Sequence, residues 1–279
     1  MRKIRDESII EAVRNACIDI NRYIDTDLEK ILQHSKDNES SELARKTLDT
    51  ILMNAEVAKK HDRILCQDTG MVIVFAEVGY DVSFEGDLYD AINEGVRRGY
   101  VDGYLRKSIV KHPINRVNTN DNTPAVIHVK LVNGDKLKLK IASKGGGAEN
   151  MSALKMLKPS DGVAGIKQFV LDTIFNASGN PCPPVIVGIG IGGNLEKSCL
   201  LAKEALFRDI NDSSQDPMIK DLEDSLLKDI NELGVGPMGF GGDTTALSVK
   251  INTYPTHFAS LPVAVNLNCH SSREKEVII

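Results

Sequence analysis

Apolar residues recur at mixed three- and four-residue spacing through the first sixty residues: Ile9, Val13, Ile18, Ile20 and Ile24, then Leu43, Leu48, Ile51, Leu52 and Val57. That period puts apolar side chains on one face of a helix, so the segment is predicted to be helical. The pattern breaks at Cys66-Gln-Asp-Thr-Gly70, and the β-branched apolar run Met71–Val78 predicts a strand. Asp87–Tyr104 returns to helical spacing, with Asp87 placed near its start as a cap. The polar, Asn-rich stretch Asn115–Pro124 predicts a loop. Val126–Val132 and Lys136–Ser143 then alternate strictly and are joined by Asn133-Gly134, which predicts a β-hairpin.

Further on, Ser160 or Asp161 is placed to cap a helix through Ile174 that Gly179 ends. Pro184–Ile191 predicts a buried strand, leading through Gly192-Gly193-Asn194 into a helix over Glu196–Phe207. Pro217–Leu233 reads as a helix stopped by Gly234, and Thr244–Thr253 and Phe258–Leu267 as strands. Strands occur both as a hairpin and as helix-separated singles. The expected architecture is therefore mixed α and β (α+β), one domain over residues 1–279 with small mixed sheets surrounded by helices.

Composition narrows the class. The 279 residues are 42% hydrophobic, enough for a substantial core. Aromatics make up 5% and Trp is absent, which argues against stacking on single-stranded nucleic acid; a formal charge of −5 argues the same way. No apolar run is long enough to span a membrane, and the charged start MRKIRDESII leaves no room for a signal-peptide core. The expectation is a cytoplasmic protein without nucleic-acid or membrane partners. Five cysteines, an odd number, argue against a disulfide framework and leave metal or catalytic roles open.

Three of these cysteines lie in segments rich in turn-forming residues: Cys66 in CQDTG, Cys182 in NPCPP and Cys269 in NLNCHSSR. They are 182 − 66 = 116 and 269 − 182 = 87 residues apart, and no C-x-x-C pair occurs. Three thiolates drawn from distant loops suit an iron–sulfur cluster that leaves one iron open as a Lewis acid. Unrelated buried thiols would give the same spacing. Cys17, on an apolar helical face, and Cys199, just after a helix start, read as buried spacers.

Other motifs carry two readings each. Asp68, two residues after Cys66, is either a turn residue or a general base near the cluster. Arg106 in LRKSIV is either a solvated cation or a two-point grip for a carboxylate. Lys144-Gly145-Gly146-Gly147 follows a strand, either as a flexible connection or as an anion-binding concavity of backbone N–H groups. His257, twelve residues before Cys269, is expected to begin a buried strand. Gly188-Ile-Gly190-Ile-Gly192-Gly193 satisfies a dinucleotide fingerprint, but the region about twenty residues on is a polar loop, so the βαβ unit is expected to be incomplete. A glycine turn that lets a helix approach backbone is the expectation instead.

The segments CQDTG, LRKSIV, KGGGAENMS, GPMGFGGDTTAL and HFASLPVAVNLNC, in this order, resemble the class I fumarases and the related L-tartrate dehydratases. The resemblance runs to Cys269 and corresponds to the alpha subunit of two-chain members, or to the N-terminal part of one-chain members. It implies a 4Fe-4S cluster on Cys66, Cys182 and Cys269, with Asp68 as the base and His257 near the active site. It also implies substrate contacts from Gln67, Arg106 and the Lys144–Gly147 backbone. The implied activity is reversible hydration of fumarate to (S)-malate, with tartrate dehydration as the alternative and a non-catalytic redox sensor as a reading of another class. The implied partners are a small dicarboxylate and a beta subunit, in an α2β2 assembly, without which the chain is expected to be inactive.

Overall fold

The computed structural model describes residues 1–279. Its helices are α1 Asp6–Arg22, α2 Thr26–Asn38, α3 Glu42–Lys60, α4 Leu88–Asp102, α5 Gly146–Glu149, α6 Gly162–Ala177, α7 Leu195–Ala205 and α8 Pro217–Glu232. The strands are β1 Arg2–Ile4, β2 Met71–Gly79, β3 Val82–Phe84, β4 Val126–Val132, β5 Leu137–Lys144, β6 Ala153–Leu157, β7 Val185–Gly192, β8 Ala246–Tyr254, β9 Leu261–Asn268 and β10 Glu274–Ile278. The fold is α+β, with small mixed sheets flanked by helices. Its contacts group into two compact units.

The first unit comprises Met1–Ile24, Ala55–Gly146 and Arg273–Ile279. Its four-stranded sheet has the order β10-β5-β2-β4, with β2 antiparallel to β5 and parallel to β4. The hairpin expected from Asn133-Gly134 does not form: β4 and β5 lie on either side of β2 rather than beside each other. β2 carries the longest apolar run and takes the centre, where both of its edges are paired; β4, with Val126, Val129 and Leu131 exposed, takes the edge. The Asn133-Gly134 connection crosses the end of β2, where Tyr80 and Asp81 donate to the carbonyls of Val132 and Gly134. A Cβ on Gly79 would come within 2.2 Å of the Gly134 carbonyl, so this crossing needs glycine at position 79. α1 and α4 pack together where Gly95 and Gly99 leave room for the α1 backbone, and the buried Ile9, Val13, Ile92 and Val96 join the β2 and β5 side chains in one core. Asp87 caps α4 as expected, accepting from the N–H groups of Tyr89 and Asp90.

The second unit comprises Asp25–Asn54 and Gly147–Ser272. Its sheet has the order β6-β9-β7-β8, with β7 parallel to β8 and antiparallel to β9. Val185, Val187 and Ile189 face a core shared with Val170 and Ile174 of α6 and Leu226 and Ile230 of α8. On the opposite face Gly188 and Gly190 meet α7. A Cβ at these positions would lie 2.3 Å from the Ala202 carbonyl and 2.0 Å from that of Ser198. The glycine series therefore serves close helix–strand packing, as expected. The crossover to a parallel strand is nevertheless completed: β8 pairs with β7 after two helices, α7 and α8, rather than the single helix of a dinucleotide unit. Cys199, expected to be buried, is exposed on α7, because the face of α7 that meets β7 is set by Ser198, Leu201 and Ala202. No helix is long and apolar enough to cross a membrane.

Candidate active site

The Cys66–Gly70 loop of the first unit belongs to no helix or strand, so its backbone carbonyls need partners from elsewhere. Buried side chains supply them. Arg273 donates to the Asp68 carbonyl, and Tyr100 to those of Thr69 (2.6 Å) and Gly70 (3.1 Å). Asn122 adds a second bond to Gly70 O at 3.2 Å. Tyr100 is fully buried on the inner face of α4, and burial pushes its phenol well above the ordinary range. Gly70 has φ +72°, and a Cβ there would lie 2.6 Å from the Lys144 carbonyl, so the loop closes on β5 only with glycine at this position.

The Asp68 carboxylate is held at both oxygens. Oδ1 accepts from Gly70 N–H at 3.1 Å, and Oδ2 from Gly146 N–H at 2.8 Å. Each oxygen keeps a further lone pair. The Thr69 hydroxyl donates to the Arg106 carbonyl at 2.7 Å, which brings Arg106 to the same loop. The Arg106 and Gln67 side chains are exposed and take no hydrogen bond within the chain. Lys144 is buried at the end of β5. The three glycines differ: Gly146 bonds Asp68, a Cβ on Gly145 would sit 3.2 Å from Asp68 Oδ2, and one on Gly147 would meet the Asn180 carbonyl at 3.1 Å. The structure thus gathers Gln67, Asp68, Arg106 and Lys144–Gly146 in one unit.

Cys182 and Cys269 lie in the second unit, on adjoining loops. The His270 N–H and Nδ1 both contact the Cys182 carbonyl, at 3.3 and 2.9 Å, which makes Nδ1 the protonated nitrogen. Cys182 has φ +56° and precedes the cis Pro183-Pro184 bond; the Cys269 thiol points to the Ser271 carbonyl at 3.7 Å. The GPMGFGG segment packs on the same loop, with Met238 N–H donating to Pro183 O at 2.7 Å. Glu149 of KGGGAEN is gripped by Lys203 at 2.5 and 2.6 Å and by Asn266 at 3.1 Å. None of the five cysteines forms a disulfide, and Cys66, Cys182 and Cys269 are all half-buried. Cys66 belongs to the first unit, and no three His, Cys, Asp or Glu side chains are grouped to hold a metal ion. His257, expected to start a buried strand, is instead exposed in the turn between β8 and β9, its ring tilted against that of Phe258 with centroids 4.6 Å apart. β9 begins only at Leu261, after a turn closed by the Ser260 N–H and hydroxyl on the His257 carbonyl, while the Thr256 hydroxyl reaches the distant Gly193 carbonyl.

Arg273, Tyr100 and Asn122, which hold the loop, and Asn21, which holds Arg273, carry no mark in the sequence. Tyr100 reads as one more apolar position of α4, and nothing in the sequence distinguishes Arg273, four residues past Cys269, from a surface arginine.

The chain matches the fumarate hydratase (Fumerase) family over residues 10–278. It is 42% identical to the putative L(+)-tartrate dehydratase subunit alpha of Methanocaldococcus jannaschii, across 95% of this chain and 94% of that one. It is 30% identical to the L(+)-tartrate dehydratase subunit alpha of Escherichia coli O157:H7, across 97% and 90%. The chain belongs to the fumarate hydratase (Fumerase) family, a class of hydro-lyases.

Proposed function

We propose that this chain is the alpha subunit of a two-chain hydro-lyase that hydrates fumarate reversibly to (S)-malate, with Asp68 as the base. The observation that carries the reading is Asp68 itself: a half-buried carboxylate fixed at both oxygens by backbone N–H groups, on a loop that Thr69 ties to the main chain of the exposed Arg106, in a chain of this family.

In the dehydration direction the proton on the carbon beside a carboxylate must leave, and hydroxide must leave the neighbouring carbon. Asp68 takes that proton on a lone pair its backbone donors leave open, and returns it in the reverse reaction. Arg106 grips one substrate carboxylate through two parallel N–H groups, which fixes the carbon to be deprotonated relative to Asp68. Gln67, exposed next to Asp68, offers an amide to the same substrate. Three half-buried thiols on irregular loops fit the donor chemistry of a 4Fe-4S cluster, and Cys66, Cys182 and Cys269 would hold it. Bound there, the cluster would supply a Lewis acid for the departing hydroxyl.

A second reading is L(+)-tartrate dehydration, favoured by the names of the similar alpha subunits. The test is turnover by the chain reconstituted anaerobically with iron, sulfide and its beta partner, on fumarate, (S)-malate and L(+)-tartrate. Fumarate and malate are expected to turn over fastest, and Asp68→Asn to lose roughly 10²–10⁴-fold in kcat. Faster turnover of tartrate would replace the substrate assignment, and an active Asp68→Asn enzyme would remove the base.

A further inference from the structure

Arg273 is the least expected cation in the molecule. It is 4% exposed, yet it enters no ion pair, and both of its hydrogen bonds leave from one nitrogen. Nη1 donates to Asn21 Oδ1 at 3.1 Å and to the Asp68 main-chain carbonyl. Nε is buried without a partner. Nη2 faces Gly145 from the same side as Asp68, so that a Cβ at Gly145 would lie 3.1 Å from Nη2 and 3.2 Å from Asp68 Oδ2. A buried, permanently charged guanidinium is costly unless an anion is near, and a neutral amide could make the same carbonyl bond. The acid that flanks the same glycine is Asp68.

The surroundings fix Arg273 in turn. Its own carbonyl accepts from Ser143 N–H at 3.0 Å, and Asn21, which receives Nη1, donates to the Ser143 hydroxyl at 3.1 Å and to the Cys17 carbonyl at 2.9 Å. Asp68 is thereby held at three points: Oδ1 by its own loop, Oδ2 by Gly146, and its main chain by Arg273. Of these, the Arg273 contact is the one made to the main-chain carbonyl of Asp68 itself.

We propose that Arg273 is a positioning residue for Asp68, setting the direction in which the base meets its proton, and that Gly145 is glycine to leave room for this contact. The proposal rests on the reading of Asp68 as the base. Losing the contact lets the carboxylate drift by an amount that, at about 1 Å, is worth roughly 10²-fold in rate.

The experiment uses the reconstituted assembly with its beta chain. Arg273→Ala is expected to lower kcat about 10²-fold while KM stays within about threefold, because the residue orients the base rather than gripping substrate. Guanidinium ion in the assay should restore part of that kcat, and urea at the same concentration should not. Arg273→Lys should fall between the two, since an ammonium keeps the charge but not the fork. Amide exchange provides a readout that needs no turnover. In both variants exchange should rise at Gly70 and Gly146, the two donors to Asp68, while Ile73–Val78 of β2 stays protected. Gly145→Ala, which keeps the guanidinium but crowds Nη2 and Asp68 Oδ2 with a Cβ at 3.1 and 3.2 Å, should lower kcat by less than Arg273→Ala and without guanidinium rescue. Unchanged kcat in the Arg273 variants overturns the proposal, and so does exchange that rises equally throughout β2, which would make Arg273 a support of the fold only. If the wild-type assembly turns over none of the dicarboxylates, the reading of function fails, and exchange at Gly70 and Gly146 alone decides for or against the clamp.

Discussion

At Asp68, three stretches of the first unit meet on one residue: its own loop, the glycines after β5, and Arg273 ahead of β10. A carboxylate in such a loop is useful only if it is kept from turning toward solvent, and backbone donors do that without adding a competing charge. The cysteines separate at this scale as well. Cys17 is sealed between α1 and its neighbours, and burial pushes its thiol up to about 12; Cys199 stands exposed on a helix. Neither environment favours a thiolate ligand. After anaerobic reconstitution the wild-type chain should hold about four irons, as a 4Fe-4S cluster requires. Cys66→Ser, Cys182→Ser and Cys269→Ser should each lose iron, while Cys17→Ser and Cys199→Ser keep it. Equal iron content across the five variants, measured by colorimetric assay, would rule out this ligand set.

Among the elements, glycine decides the packing more than any large side chain does. Gly95 and Gly99 admit α1 against α4, and Gly188 and Gly190 admit α7 against β7. Gly190 is the tightest of these contacts, with a Cβ predicted 2.0 Å from the Ser198 carbonyl, which is backbone and has no flexible end to move aside. Gly190→Ala should therefore force α7 off the sheet and destabilise the chain by about 1–3 kcal/mol or more, the scale of overpacking. Urea unfolding followed by circular dichroism measures this, and an unchanged midpoint would show that α7 shifts freely. The split pairing of β4 and β5 around β2 is the counterpart in the first unit. Its turn chemistry at Asn133-Gly134 is what a hairpin would use, yet the turn instead carries the chain over the end of β2.

For the molecule as a whole, the similar proteins are named as alpha subunits, and this chain matches them along nearly their whole length. On the function proposed above, Asp68, Gln67 and Arg106 would offer one base, one amide and one guanidinium, whereas a dicarboxylate has a second charged end to hold and a reaction that needs water kept out. The isolated chain, reconstituted with iron and sulfide, is expected to show under a hundredth of the fumarate turnover of the mixture with its beta chain, on the scale that lost positioning carries. Equal rates with and without the beta chain would end the two-subunit reading.

Most of the elements were legible in the sequence, and the Cys66–Gly70 loop stood out there as the candidate site. Hydrophobic period and capping chemistry are local, so α4 with Asp87 at its cap, the strands β2 and β7, and the helices α7 and α8 were legible within a few residues. CQDTG stood out because turn residues around Cys and Asp are a local signal too. Strand partners, by contrast, are set by long-range packing. β2 entered between β4 and β5 because burying a strand on both edges is a property of the whole sheet, which no turn signal encodes. His257 ended exposed because the chain before β9 is held by a long-range bond from the Thr256 hydroxyl to the Gly193 carbonyl, which forms only in place. The supports of Asp68 were hidden for the same reason: Arg273 and Asn21 are 205 and 47 residues from it in sequence, as 273 − 68 and 68 − 21. Nothing in their local sequence distinguishes a buried clamp from a surface side chain. Long-range burial made that difference.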